Sequence, residues 1–189
     1  MIICSRLLLQ IIFIEEELMQ IRTLAYHEIP LIGAINCQET SMQSYNMSGI
    51  LTDTPYKVNA WEPQKLADFI LKIEDIYFHG GVVLGAYQEA RLVGIAVLDL
   101  QYISGFRLHL EALYIDQLYR RQGIGNIMVQ KILQIAYEKE AEALYIRSPP
   151  SQNTVDFFSH RGARLAERVD SYLQALAPET IQLEIPIIR

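Results

Sequence analysis

Cysteine is scarce in this chain of 189 residues, limited to Cys4 and Cys37. Two thiols so placed offer neither a zinc-ligand spacing nor a disulfide framework, and no other metal-binding pattern appears. They read as reduced thiols of a cytoplasmic protein. Basic residues are outnumbered, 16 Lys and Arg against 22 Asp and Glu, giving a net charge of −6. With no broad basic stripe, the chain is not a nucleic-acid binder held through phosphate contacts. The same acidic surface attracts a cationic substrate. Long hydrophobic runs are missing too. Residues 7–14 are apolar, but they end at Glu15, Glu16 and Glu17 with no small-residue cleavage site. That run is too short to span a membrane and lacks the layout of a signal peptide. Repeats, linkers and low-complexity segments are absent. What remains is 51% apolar and 20% charged, ordinary for one globular domain able to bury a sizeable core.

Periodicity gives the order of elements. Residues 20–24 read as a strand, 27–39 as a helix interrupted early by Pro30, and 40–63 as a loop or broken helix. Residues 63–77 carry Leu66, Phe69, Ile70 and Ile73 at helical spacing, and Gly80 and Gly81 stop them. A hairpin over 82–87 and 91–100 follows, then a strand over 107–115. Beyond the glycines near 123, Ile124, Ile127, Met128, Ile132, Ile135 and Ala136 mark the buried side of a helix. Asn126, Gln130, Gln134 and Glu138 form its wet side. A strand over 143–147, a short helix over 151–161 and strands over 163–169 and 181–188 complete a mixed α/β pattern.

The densest chemical signal is Leu108-His109-Leu110-Glu111-Ala112-Leu113-Tyr114-Ile115, followed after a short loop by Arg120-Arg121-Gln122-Gly123-Ile124-Gly125 and Asn126. A strand that feeds glycines into a helix start presents unpaired N–H groups and the positive end of the helix dipole. Glycine lets the backbone approach an anion, and arginine adds charge-assisted hydrogen bonds. This is a phosphate or pyrophosphate cradle. Met128 stands where a dinucleotide fingerprint needs its third glycine, and Asn126-Ile127 stands where a nucleotide-triphosphate loop needs Lys-Ser/Thr, so both readings fail.

The segment resembles the GNAT superfamily of acyl-CoA-dependent N-acyltransferases, whose central motif is an apolar-x-apolar strand end, a loop, and Gln/Arg-x-x-Gly-x-Gly/Ala. Leu113 and Ile115 match the apolar pair; Arg120, Gly123 and Gly125 match the rest. The resemblance implies a mostly antiparallel central sheet flanked by helices and splayed at the CoA site. It implies that Arg121, Gln122, Gly123, Ile124, Gly125 and Asn126 hold the CoA pyrophosphate, and that the strand edge at Leu113, Tyr114 and Ile115 pairs with pantetheine. Residues 19–189 then form the domain, since Met19 opens a segment similar to the family's first strand. Residues 1–18 are an extension, packed on the domain or on a partner subunit, or a misassigned start. A homodimer is admitted.

A second family motif is similar to Ser151-x-x-Thr154-x-x-Phe157-Phe158-x-x-x-Gly162. Ser151 replaces its asparagine, and Phe158 stands where many members carry a tyrosine that protonates the departing thiolate. Phenylalanine has no proton to give. For the base, counting back from Ile115 places Glu111 and His109 at positions used by family members. Period-two alternation puts both on one face with Leu113 and Ile115. Histidine titrates in the right range, and Glu111 acts through a water or holds the substrate ammonium. Tyr45, Tyr56 and Trp61 line the amine pocket or simply pack under a loop. The implied activity is acetyl transfer from acetyl-CoA to a primary amine of a small molecule, with no membrane partner. A non-catalytic acyl-CoA sensor and a peptide N-acetyltransferase are the alternatives. Replacement of Gly123 or Gly125 by Val is expected to abolish CoA binding in a calorimetric titration while the fold is kept; unchanged affinity would refute the cradle.

Overall fold

The computed structural model describes residues 10–14, 17–103 and 105–188. The strands are β1 (Gln10–Ile14), β2 (Glu17–Thr23), β3 (Glu39–Ser41), β4 (Ser44–Tyr45), β5 (Leu51–Thr52) and β6 (Tyr56–Val58). They continue with β7 (Val82–Gln88), β8 (Arg91–Ile103), β9 (Arg107–Ile115), β10 (Ala143–Ser148), β11 (Arg164–Leu165) and β12 (Ile181–Pro186). Helices are α1 (Pro63–Phe78), α2 (Ile124–Glu138), α3 (Gln152–Ser159) and α4 (Ser171–Leu176). Eight strands make one sheet in the order β1-β2-β7-β8-β9-β10-β12-β11. Among the described residues only β9 and β10 run parallel; the other neighbours are antiparallel. This is the expected mixed, mostly antiparallel sheet. Residues 1–9 and 15–16 of the N-terminal segment lie outside the described residues, while Gln10–Ile14 pairs with Glu17–Ile21.

Each face of the sheet buries one helical layer. On one side α2 inserts Ile124, Met128, Val129, Ile132 and Ala136 against Leu108, Leu110, Leu144 and Ile146. On the other, α1 and a 3-10 helix at Tyr26–Ala34 bring Ile73, Ile76, Ile29 and Ile32 onto Val83, Ile95 and Val97. Each such aliphatic side chain contributes about 1.5–3 kcal/mol when fully buried. Among the described residues no helix is long and apolar enough to cross a membrane.

Three expected elements change. The α-helix expected over 27–39 is the 3-10 helix, because Pro30 withdraws a donor from the α pattern. Its start is held instead by Glu28, which accepts from both Arg22 nitrogens at 2.6 and 2.7 Å and from the Ala25 N–H at 2.8 Å. The Arg22 contact, with the Ala25 and Tyr87 hydrogen bonds, holds the Glu28 carboxyl down to about 2. The 40–63 loop contains two small ribbons, β3–β6 and β4–β5. Of the strand expected over 163–169 only Arg164–Leu165 pairs, and Asp170 instead caps α4 by accepting from the Leu173 N–H at 3.0 Å.

Two irregularities in β9 place the functional residues. Pairing with β10 runs from Arg107↔Ala143 to Leu110↔Ile146 and stops, so the strands diverge beyond. Against β8, Val97 pairs with Ala112 and Leu98 with Leu110, leaving Glu111 as an extra residue. That bulge breaks the alternation. Leu113 and Ile115 pack with α2, whereas Ala112 and Tyr114 pack with α1. Glu111 and His109 therefore do not share a face with Leu113 and Ile115.

At the end of β9, Asp116 is fully buried and collects the chain around it. Its carboxylate accepts from the Asn36 N–H at 3.0 Å, the Leu118 N–H at 3.0 Å and Arg91 at 3.2 Å. Its own N–H donates to Val93 O at 2.8 Å. Asp116→Ala leaves these donors without a partner and is expected to lower stability by roughly 2–4 kcal/mol in urea unfolding. Asp116→Asn, which keeps one acceptor oxygen, should lose less; equal stability of Asp116→Ala and wild type would contradict the role.

Candidate active site

The loop after β9 makes a 3-10 turn at Gln117–Tyr119 and enters α2 through Arg121 at φ 65° and Gly123 at φ 83°. Gly123 is the N-cap in left-handed conformation, where a Cβ is strained, and a Cβ there would point into open space. The amides of Ile124, Gly125 and Asn126 have no carbonyl in a preceding turn to bond. Left-handed residues beside a helix start bend such amides into a concave nest for an anion. Beneath them, the Phe157 ring lies 3.3 Å from the position a Gly125 Cβ would take. Arg161 stacks on that ring at 3.6 Å and donates to Asn126 Oδ1 at 3.1 Å. Burial pulls the Arg161 guanidinium below its ordinary value without neutralising it. The cradle is thus a backbone nest with one cationic wall.

The cradle opens into a cleft of about 1280 Å³ that runs along the divergence of β9 and β10. Glu111, Leu113, Tyr114, Ile115, Arg121, Gly123, Ile124, Gly125, Asn126 and Phe158 line it. These expected residues come together. Arg120 lines the cleft but does not offer its guanidinium to it. It donates to Ile115 O at 2.9 Å and Gln38 O at 2.8 Å, which ties β9 to the 36–39 segment. Gln122 and Ser151 stand off the cleft wall. The Gln122 amide donates to Leu118 O at 3.3 Å, and the fully buried Ser151 hydroxyl donates to Glu39. Phe158 serves the core as well as the cleft, edge-on to Phe157 at 5.0 Å.

The two proton-acceptor candidates differ sharply in surroundings. Glu111 reaches the cleft with its carboxylate 2.7 Å from Lys72 Nζ and 3.3 Å from Arg147 Nη2. His109 is 3% exposed and lies behind it, off the cleft wall. Its Nδ1 stands 3.3 Å from Glu111, and Arg147 Nε donates to its Nε2 at 3.4 Å. That arrangement assigns the ring proton to Nδ1. Desolvation first, then the charges of Arg147 and Lys72, push His109 down to about 3. The ring is held neutral and stands off the cleft wall, whereas Glu111 reaches it.

Sequence reasoning passed over Lys72, Arg147 and Arg161. Arg147 follows Tyr145, which pairs with His109, so a parallel register alone would have set it opposite Glu111. Lys72 arrives from α1 and leaves no local trace. The outer half of the cleft is walled by Cys37, Glu39, Tyr56, Val58 and Phe69. Tyr56 therefore reaches the cleft. Trp61 instead packs, stacked on Phe69 at 5.2 Å, and Tyr45 donates to Asp156 at 2.7 Å. Burial pushes the Tyr114 hydroxyl up to about 12. His27 and His79 are exposed. Among the described residues no group of His, Cys, Asp and Glu could hold a metal ion.

The profile of the acetyltransferase (GNAT) family matches residues 46–163, which run from β5 through the cradle to α3. The chain belongs to that family. No curated protein matches the GNAT chain by sequence. Solved structures agree on the fold. A nourseothricin acetyltransferase superposes with a TM-score of 0.67 at 16% identity, covering 90% of this chain and 99% of that one. The PaiA N-acetyltransferase of Thermoplasma acidophilum, solved with coenzyme A, gives 0.58 at 16% identity over 89% and 98%. The ribosomal-protein-S18-alanine N-acetyltransferase of Escherichia coli gives 0.57 at 12% identity over 90% and 95%.

The neutral, buried His109 makes the GNAT fold acid-sensitive. Its ordinary value is 6.5 and its folded value about 3, so between these the unfolded chain binds a proton that the folded chain refuses. The stability it contributes is complete above pH 6.5 and is lost as pH falls toward 3, with a limiting slope of about 1.4 kcal/mol per pH unit. Urea unfolding from about pH 6.5 down to about pH 4.5 should show a shallower decline in His109→Gln than in wild type. Parallel declines would contradict the burial of a neutral ring.

Proposed function

We propose that the protein transfers an acetyl group from acetyl-CoA directly to a primary amine of a small molecule in the cytoplasm. The observation that carries the reading is the free edge of β9 beyond Leu110, leading straight into the amide nest at Arg121–Asn126. A pantetheine arm has the alternating amide donors and acceptors to pair with an exposed strand edge, and its pyrophosphate suits the helix start. Coenzyme A in the PaiA structure supports that donor. A small acceptor is favoured by the β3–β6 ribbon, whose Glu39, Tyr56 and Val58 wall the outer cleft. An open peptide groove would leave that side bare.

Acetyl-CoA supplies an activated acetyl group; this chain's residues prepare the amine. An ammonium cannot attack until it has lost its proton. Lys72 and Arg147 beside Glu111 favour the neutral amine, because nearby cations disfavour another positive charge. Glu111, the carboxylate where β9 leaves β10, receives the proton through a water. His109 does not touch substrate and acts as a positioning residue, fixing Arg147 and Glu111 by its two ring nitrogens. Backbone N–H groups along the free edge stabilise charge developing on the carbonyl oxygen. Phe158 supplies no proton, so the thiolate is protonated by water.

Thiol release with amines, polyamines, aminoglycosides and peptides tests the reading. Release by a small amine supports it, and tight CoA binding without release across the panel would favour the sensor alternative. Glu111→Gln is expected to lower kcat/KM for the amine by about 10²-fold with CoA affinity nearly kept. An undiminished rate would exclude Glu111 as the proton acceptor.

A further inference from the structure

The cluster at the strand divergence holds more positive charge than it neutralises. Lys72 and Arg147 each bring one positive charge, Glu111 brings one negative charge, and His109 is neutral, which leaves a surplus of one cation. The Glu111 and Arg147 side chains are only 7% and 13% exposed, while Lys72 is wetter at 40%. Lys72 takes the short contact to Glu111 at 2.7 Å, and Arg147 is left with the long ones, 3.3 Å and 3.5 Å. Arg147 Nε faces His109, and Nη1 has no partner among the described residues. No buried side-chain nitrogen among these residues lacks a partner, so Nη1 is not buried, and Arg147 lines the cleft. A nearly buried guanidinium with unspent donors is costly unless an anion completes it. Its planar fork suits a carboxylate better than a point charge would.

We propose that Arg147 binds the carboxylate of the acceptor, and that the acceptor is an α-amino acid. Arg147 is the first residue of β10 beyond the last paired residue, Ile146, and Glu111 is its counterpart on β9. An α-amino acid carries its nitrogen and its carboxylate on one carbon. Arg147 Nη1, the unspent donor, and Glu111, whose Oε1 stands 3.3 Å from Nη2 of the same guanidinium, offer a donor and an acceptor side by side to those two groups. The amine is thereby delivered to the mouth of the divergence, where the thioester of the proposed donor ends. Glu39 on the outer wall is already engaged by Ser151 and faces Arg120 at 3.8 Å, so it does not compete for the acceptor's charge.

This inference rests on the acetyl-transfer reading, and two measurements separate their failures. CoA-loaded protein is titrated calorimetrically with N-acetyl-leucine, N-acetyl-phenylalanine and N-acetyl-glutamate, each beside its α-carboxamide. The carboxylates should bind at least about tenfold more tightly, and Arg147→Gln and Arg147→Lys should erase most of that preference. Thiol release is followed with the free amino acids, their amides and the decarboxylated amines. Equal binding of carboxylate and amide, or a preference that survives in both variants, overturns the site. The same holds if decarboxylated amines react faster than amino acids, an outcome that leaves acetyl transfer intact. A guanidinium that only polarised the thioester carbonyl would slow all acceptors alike and keep their ranking, which also overturns the site. Carboxylate-selective, Arg147-dependent binding with no thiol release supports the site and removes the transfer.

Discussion

The structure turns on the place where β9 and β10 stop pairing. Up to Leu110 and Ile146 they form a parallel ladder; beyond it, neither strand has the other as a partner. Backbone N–H and C=O groups without partners are expensive when buried, so a divergence in the middle of a sheet persists only if something else occupies it. Beyond that point the two helical layers pack on opposite faces of β9. Helix α2 packs on Leu113 and Ile115, and α1 packs on Ala112 and Tyr114. The bulge at Glu111 permits this switch of faces within five residues. The same bulge aims the Glu111 carboxylate at Lys72 and Arg147 rather than at α2.

From that point outward the site is assembled in order along the chain. Asp116 locks the end of β9 to the 36–39 segment and to the turn that follows it. Arg120 repeats the same tie from the other side of the turn, through Ile115 and Gln38 carbonyls. The left-handed Gly123 then starts α2 with its amides facing the cleft. The proposed donor and acceptor halves thus meet at one short stretch. The acceptor half adds the β3–β6 ribbon and the charges that α1 and β10 bring to the divergence.

Much of this was legible in the residues themselves. The apolar run at 108–115, the glycine spacing and the buried stripe of α2 stated the strand, nest and helix before any coordinates, because each depends on local chemistry. What local chemistry does not carry is less readable. Pro30 turned an apparent helix into a 3-10 segment held by Glu28 and Arg22. The bulge at Glu111 has no glycine or proline to announce it and overturned the simple alternation. Arg120 looked like a phosphate ligand by type, yet its partners are carbonyls remote in sequence. His109 was read by its ordinary titration, whereas burial and two nearby cations push it down to about 3. Lys72 and Arg147 matter because of tertiary register, which one sequence alone does not display.

The central claim is that the divergence is the donor site and that the reacting carbonyl sits beside Glu111 and Arg147. The most direct measurement is a crystal structure of the protein with acetyl-CoA or an unreactive thioether analogue. The account predicts the pyrophosphate on the amides of Arg121–Asn126, the pantetheine paired with the β9 edge from Ala112 to Ile115, and the acyl group at the mouth of the split. A ligand bound elsewhere, or a complex in which β9 and β10 close onto each other beyond Leu110 and Ile146, would contradict it.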